Sequence, residues 1–201
     1  MAPLLYLITP ADPDPQTFPR LLMSVLTGPE ISAMLVRRGT LDDAGYAALA
    51  ERLVQIGQSA GSAVLLEDDV ALVRRLGADG VHITKGGTKA IRDAIATLKP
   101  DAIVGAGNVK SRHDAMSFGE LDVDYVMFGP LGGNPDPQAA ELAQWWAETF
   151  EVPSVQSTPD ADTGMLADLG AEFIALSDCI WSSADPVAAL LAFHDAARAP
   201  A

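Results

Sequence analysis

Short, uninterrupted apolar runs recur along this chain roughly every 25 residues, and each leads into a segment with apolar residues at helical spacing. Leu4 to Ile8, closed by Thr9-Pro10, is the first. Later runs are Ile31–Val36, Val64–Leu66, Val81–Ile83, Ala102–Val104, Tyr125–Phe128, Val152–Gln156 and Phe173–Leu176. Runs without polar alternation predict strands buried on both faces, and such strands pair in parallel. Between them the spacing predicts helices over Pro15–Leu26, with Pro19 in the first turn, and from a Thr40 cap to near Ala60. Further helices are expected up to Leu76, over Gly87–Leu98 with Pro100 beyond it, and over Ser111–Phe118, Gln138–Phe150, Asp160–Leu169 and Pro186–Arg198. Gly77-Ala78-Asp79-Gly80 and Gly170-Ala171-Glu172 read as helix-to-strand turns in which glycine closes the helix.

Eight strand–helix units with no segment left over predict a closed (β/α)8 TIM barrel, a single domain over residues 1–201, rather than an open doubly wound sheet. Barrels of this kind do their chemistry at the C-terminal ends of the strands. The stretch Val64–Gly87 is then central, because its first strand leaves on Glu67, Asp68 and Asp69. The 27 acids against 13 bases, a net charge of −14, exclude the clustered positive charge that nucleic acid or an anionic membrane surface requires. The single cysteine, Cys179, excludes an internal disulfide and a multi-cysteine zinc site. No apolar run is long enough for a membrane helix and no signal segment opens the chain, so a cytoplasmic protein is expected.

Leu5-Tyr6-Leu7-Ile8-Thr9, Leu76-Gly77-Ala78-Asp79-Gly80-Val81-His82, Asp124-Tyr125-Val126-Met127-Phe128-Gly129-Pro130 and Ser182-Ser183-Ala184-Asp185-Pro186 follow one another in an order that resembles the thiamine phosphate synthases and the related thiazole tautomerases. The resemblance covers the whole chain. It implies a barrel enzyme that joins a pyrimidine diphosphate to a thiazole phosphate and releases pyrophosphate. It also implies a magnesium cofactor and basic residues around the leaving group. By position, the resemblance makes Arg37 and Lys85 the candidate catalytic residues and Asp68 the candidate metal ligand. Glu67, Asn108, Gly129, Ser157, Thr158 and Ser177 become candidate contacts for a small-molecule ligand.

Several positions depart from the family pattern. Leu35 and Gly39 stand for a glutamine and a lysine around Arg37, Lys85 for a glutamine, and Gly87 for the second metal-binding aspartate. Val109 replaces the tautomerases' proton-transferring histidine, a lysine is missing from Gly133-Asn134-Pro135-Asp136-Pro137, and Ser157-Thr158-Pro159 replaces a phosphate-binding Gly-Gly. Asp178 follows Ser177, where a phosphate would meet like charge. Reactions of this type are mainly electrostatic, so these losses predict the absence of ordinary synthase or tautomerase activity. Two readings stay open: a synthase-like enzyme with a reduced ligand set, and a non-catalytic descendant that binds a small molecule or another protein. A Lys85–Asp68 ion pair in place of the metal is expected. Either Arg37 holds an anion, or Arg37 or Arg38 simply pairs with a neighbouring carboxylate. His82 reads as a hydrogen-bonded residue of the barrel interior, and His113 and His194 lack a second histidine at metal spacing. Of Trp145 and Trp146 one packs inward, with a contact between copies in a homo-oligomer as the alternative role for the pair.

Overall fold

Eight short apolar strands hydrogen-bond in chain order and in parallel, the eighth closing against the first. In the computed structural model, which describes residues 3–199, they are β1 (Leu4–Ile8), β2 (Ala33–Val36), β3 (Ala63–Glu67), β4 (Gly80–Ile83), β5 (Ile103–Ala106), β6 (Tyr125–Phe128), β7 (Ser154–Ser157) and β8 (Phe173–Leu176). Around them run α1 (Phe18–Val25), α2 (Asp43–Ser59), α3 (Val70–Leu76), α4 (Gly87–Leu98), α5 (Arg112–Gly119), α6 (Ala139–Thr149), α7 (Asp178–Trp181) and α8 (Pro186–Arg198). The result is a closed (β/α)8 TIM barrel.

Strand side chains alternate between two cores because the strand period is two. Tyr6, Ile8, Leu35, Leu65, Tyr125, Met127, Val155 and Ala175 fill the barrel interior. Their neighbours, among them Leu7, Val36, Leu66 and Val126, pack outward against the helices. The two-sided burial explains why the runs lack polar alternation. Trp146 is the inward member of its pair, and its indole N–H donates to the Val152 carbonyl at 2.7 Å. Trp145 lies half-buried with the Arg112 guanidinium 4.7 Å above its ring.

Three expectations need correction. Asp42, not Thr40, caps α2, accepting from Gly45 N at 2.7 Å; Thr40 instead donates its backbone N–H and hydroxyl to Asp12. The α-helix expected over Asp160–Leu169 is a 3₁₀ turn over Thr163–Asp168, with Asp162 as its N-cap accepting from Gly164 N at 2.8 Å. Accordingly Gly77 closes α3 in the left-handed region at φ 67, but Gly170 has no helix to close. The four-residue α7 was not expected from the pattern.

A repeated device at the barrel floor sets the strand register. Asp79, just before β4, accepts from Val64 N of β3; Asp124, before β6, accepts from Val104 N of β5; Glu172, before β8, accepts from Ser154 N of β7. All three bonds are 2.7 Å. Each acid ties the entry of one strand to the strand before it with a charge-assisted bond.

Candidate functional site at the barrel mouth

Two residues beyond the last interior apolar side chains of β2, β3 and β8, Arg37, Glu67 and Ser177 reach the inner face of the C-terminal mouth; Ser157 holds the equivalent place in β7. Glu67 is buried, accepts from Arg38 N at 2.9 Å, and lies 4.0 Å from Arg37 Nε. Arg37 Nε is buried and makes no hydrogen bond, and the buried Ser177 hydroxyl also has none. Arg38 points the other way: it pairs with Asp69 at 2.9 Å and with Asp43, and lies over the Tyr46 ring. Both arginines thus have carboxylate partners, Arg37 the buried Glu67 at the mouth and Arg38 the pair Asp69 and Asp43 outside it.

Beneath the mouth lies a chain of rings. Glu67 is in register with His82, His82 with Gly105, and Gly105 with Tyr125. His82 Nδ1 is 2.8 Å from the Tyr125 hydroxyl, which is 3.0 Å from the Tyr6 hydroxyl. The imidazole stacks on the Tyr125 ring at 5.6 Å. Burial lowers the His82 pKa from 6.5 to about 4, against a smaller opposing pull from Asp68, so the ring is neutral at pH 7. Its Nε2 is buried without a partner. A methyl at Gly105 would lie 2.1 Å from the Tyr125 ring, and one at Gly107 would lie 2.4 Å from His82 Nε2. Gly105-x-Gly107 thus makes room for two rings.

Asp68, the candidate metal ligand, holds φ 54 and turns its carboxylate into the β4–α4 loop. One oxygen accepts Thr84 N at 2.6 Å and Lys85 N at 3.2 Å, and the other accepts the Thr84 hydroxyl at 2.5 Å. Lys85 Nζ stands 3.7 Å from the same carboxylate, three-quarters exposed. The Lys85–Asp68 pair is therefore present, with Thr84 as the partner that charge counting missed. Asn108, at φ 58, donates to the Thr84 carbonyl at 3.3 Å. Thr84, Lys85, Gly107 and Asn108 help to line a cleft of about 240 Å³. The residues present do not fit a protein-held magnesium ion: the Asp68 lone pairs face N–H and O–H donors, and no group of three His, Cys, Asp or Glu side chains among the described residues is arranged to hold a metal.

The far side of the mouth is shaped by backbone. Gly129 sits at φ 101, and a methyl there would meet the Ser157 carbonyl at 2.2 Å, so only glycine fits. Ser157 spends its hydroxyl on the Pro130 carbonyl at 2.6 Å, holding this loop instead of facing the mouth. Thr158 Oγ1 is 3.4 Å from the Gln156 amide. The sequence-derived candidates thus separate into a mouth set (Arg37, Glu67, Ser177), a rim set (Asp68, Lys85, Asn108) and a loop-holding set (Gly129, Ser157, Thr158).

A family model described as thiamine monophosphate synthase matches residues 5–180. The chain belongs to this family. Thiamine-phosphate synthase of Rhodospirillum centenum is 34% identical, with 96% of this chain and 97% of that one covered. The protein of the same name from Erythrobacter litoralis is 35% identical over 95% and 93% of the two chains. Among solved structures, thiamine phosphate pyrophosphorylase from Pyrococcus furiosus superposes with TM-score 0.79 at 20% identity, covering 96% of this chain and 95% of that one. A 3-hexulose-6-phosphate synthase superposes with TM-score 0.72 at 14% identity, over 95% and 98%. These two likenesses speak for the fold.

Proposed function

We propose that this member of the thiamine phosphate synthase family binds a small heteroaromatic molecule at the barrel mouth and does not run the metal-assisted displacement at an ordinary rate. The observation that carries this reading is the occupied Asp68 carboxylate, which takes three hydrogen bonds from Thr84 and Lys85 where the family would place metal. Arg37 Nε and the Ser177 hydroxyl, both buried and without a hydrogen bond, are the groups in this reading that a ligand would satisfy. Leaving such groups unmet costs on the order of 1–3 kcal/mol each, which a bound oxygen or nitrogen recovers. No helix among the described residues is long and apolar enough to cross a membrane, and the charge of −14 favours a small molecule over a nucleic acid.

A second reading, the family's own reaction, is supported by 34% identity to a named synthase across nearly the full chain. The purified protein, given the pyrimidine diphosphate, the thiazole phosphate and magnesium, separates the two. The first reading expects a ligand-dependent rise in melting temperature with a pyrimidine or thiazole precursor and no thiamine phosphate formed. Turnover near 1 s⁻¹ or above, an ordinary enzyme rate of about this order, would overturn it.

A further inference from the structure

The end of the barrel opposite the mouth is incompletely filled. A TIM barrel is ordinarily packed by layers of bulky, branched side chains from its strands. Here the inward floor positions of β2 and β3 are Ala33 and Ala63, partners in register. The next inward side chains, Tyr6, Leu65, Tyr125 and Val155, form a ceiling over them, and Ile103 and Phe173 stand at the sides. The result is a pocket of about 250 Å³. Ala33, Ala63, Ile103 and Phe173 are each half-buried, so the pocket opens to solvent at the floor. Ile8, Leu35 and Met127, one inward position further along, are fully buried and separate it from the mouth.

We propose that this floor pocket is a second binding site, for a small uncharged aromatic molecule of phenol to indole size. An apolar cavity of about 150 Å³ already stays dry and takes benzene, so the volume here suits such a ring. Tyr6, Tyr125 and Phe173 offer ring edges and faces to an aromatic guest, whereas water finds few of the polar partners it needs. Charge points the same way. Among the described residues none that lines the pocket is basic, and the acid that does, Asp124, spends its oxygens on Lys99 and on Val104 N. The other floor acids, Asp79 and Glu172, are committed to Val64 N and Ser154 N and repel an anion. A charged ligand would lose its water without gaining a partner, so the pocket selects neutral molecules. Nothing in this site comes from Arg37 or Ser177, and it stands whether or not the mouth binds as described above.

The test is a titration of alanine-methyl-labelled protein by NMR with phenol, and with benzoate as the charged counterpart. Phenol is expected to shift the Ala33 and Ala63 methyl signals saturably at millimolar concentration, and benzoate to bind at least about tenfold more weakly. Ala63→Leu and Ala33→Leu put a branched chain where the guest would lie. Each is expected to weaken phenol binding at least about tenfold in calorimetry, while Arg37→Met at the mouth leaves it unchanged. The absence of a saturable shift at Ala33 and Ala63 overturns the proposal. So does phenol binding that Arg37→Met removes, that both folded alanine variants keep, or that benzoate matches. Should neither alanine variant fold, the wild-type methyl shifts decide alone. A failure of every thiamine precursor to bind counts against the mouth reading and leaves this one standing.

Discussion

His82 shows how one buried residue ties the stability of this barrel to pH. Its folded-state pKa of about 4 lies below the ordinary 6.5 because the ring is wholly buried. Between those values the unfolded chain binds a proton that the folded chain refuses, so stability rises with pH across the window and falls on acidification. The two pKa values correspond to roughly 3 kcal/mol at full extent. His82→Gln removes this titration while keeping a polar side chain. Urea unfolding at pH 7 and pH 4.5 is expected to show wild type losing about 2 kcal/mol more than the variant on acidification. Equal losses would mean that the imidazole is not held neutral. The sequence placed His82 correctly among interior residues, because Val81 and Ile83 flank it in an apolar run. The Tyr125–Tyr6 relay was not readable, because its three members are 43 and 119 residues apart and meet only after closure.

At the scale of elements, the floor acids matter most. Asp79 precedes β4 and clamps the buried Val64 of β3; Asp124 and Glu172 repeat the arrangement two and four strands on. The pattern was visible as Ala78-Asp79, Val123-Asp124 and Ala171-Glu172, an apolar residue and an acid directly ahead of each even-numbered strand from β4 onward. Its meaning was not, since the accepting oxygen works across a strand pair. Asp79→Ala strands Val64 N in a buried position and is expected to cost about 1–3 kcal/mol in denaturant unfolding, with Asp79→Asn costing less because an acceptor remains. A loss within about 0.5 kcal/mol, the size of an ordinary surface change, would dispose of the clamp. Helix boundaries were legible where proline or a strong apolar period marked them, as in α4 and α8. They failed at residues 160–169, where the chain forms only a 3₁₀ turn over Thr163–Asp168 capped by Asp162.

Taken whole, the molecule keeps the family's barrel and rewires its mouth. Asp68 is bound to Thr84 and Lys85, and Asp178 accepts from Gly133 N. Among the described residues no group of three His, Cys, Asp or Glu side chains is arranged to hold a metal, and the Asp68 oxygens already accept from Thr84 and Lys85. Millimolar magnesium is therefore expected to leave the melting temperature unchanged, because a ligand stabilises only in proportion to its binding of the folded state. A magnesium-dependent rise that Asp68→Asn removes would reverse that conclusion. The sequence by itself determined the eightfold parallel barrel, since uninterrupted apolar runs can be buried only between a filled interior and a helical shell. It also determined the family and which charged residues would reach the strand ends. Tertiary structure alone decided what those charges do. Asp68 and Thr84 are 16 residues apart and Gly133 and Asp178 are 45 apart. Whether a carboxylate offers its oxygens to a ligand or spends them on the chain depends on which N–H groups closure of the barrel brings within hydrogen-bonding range.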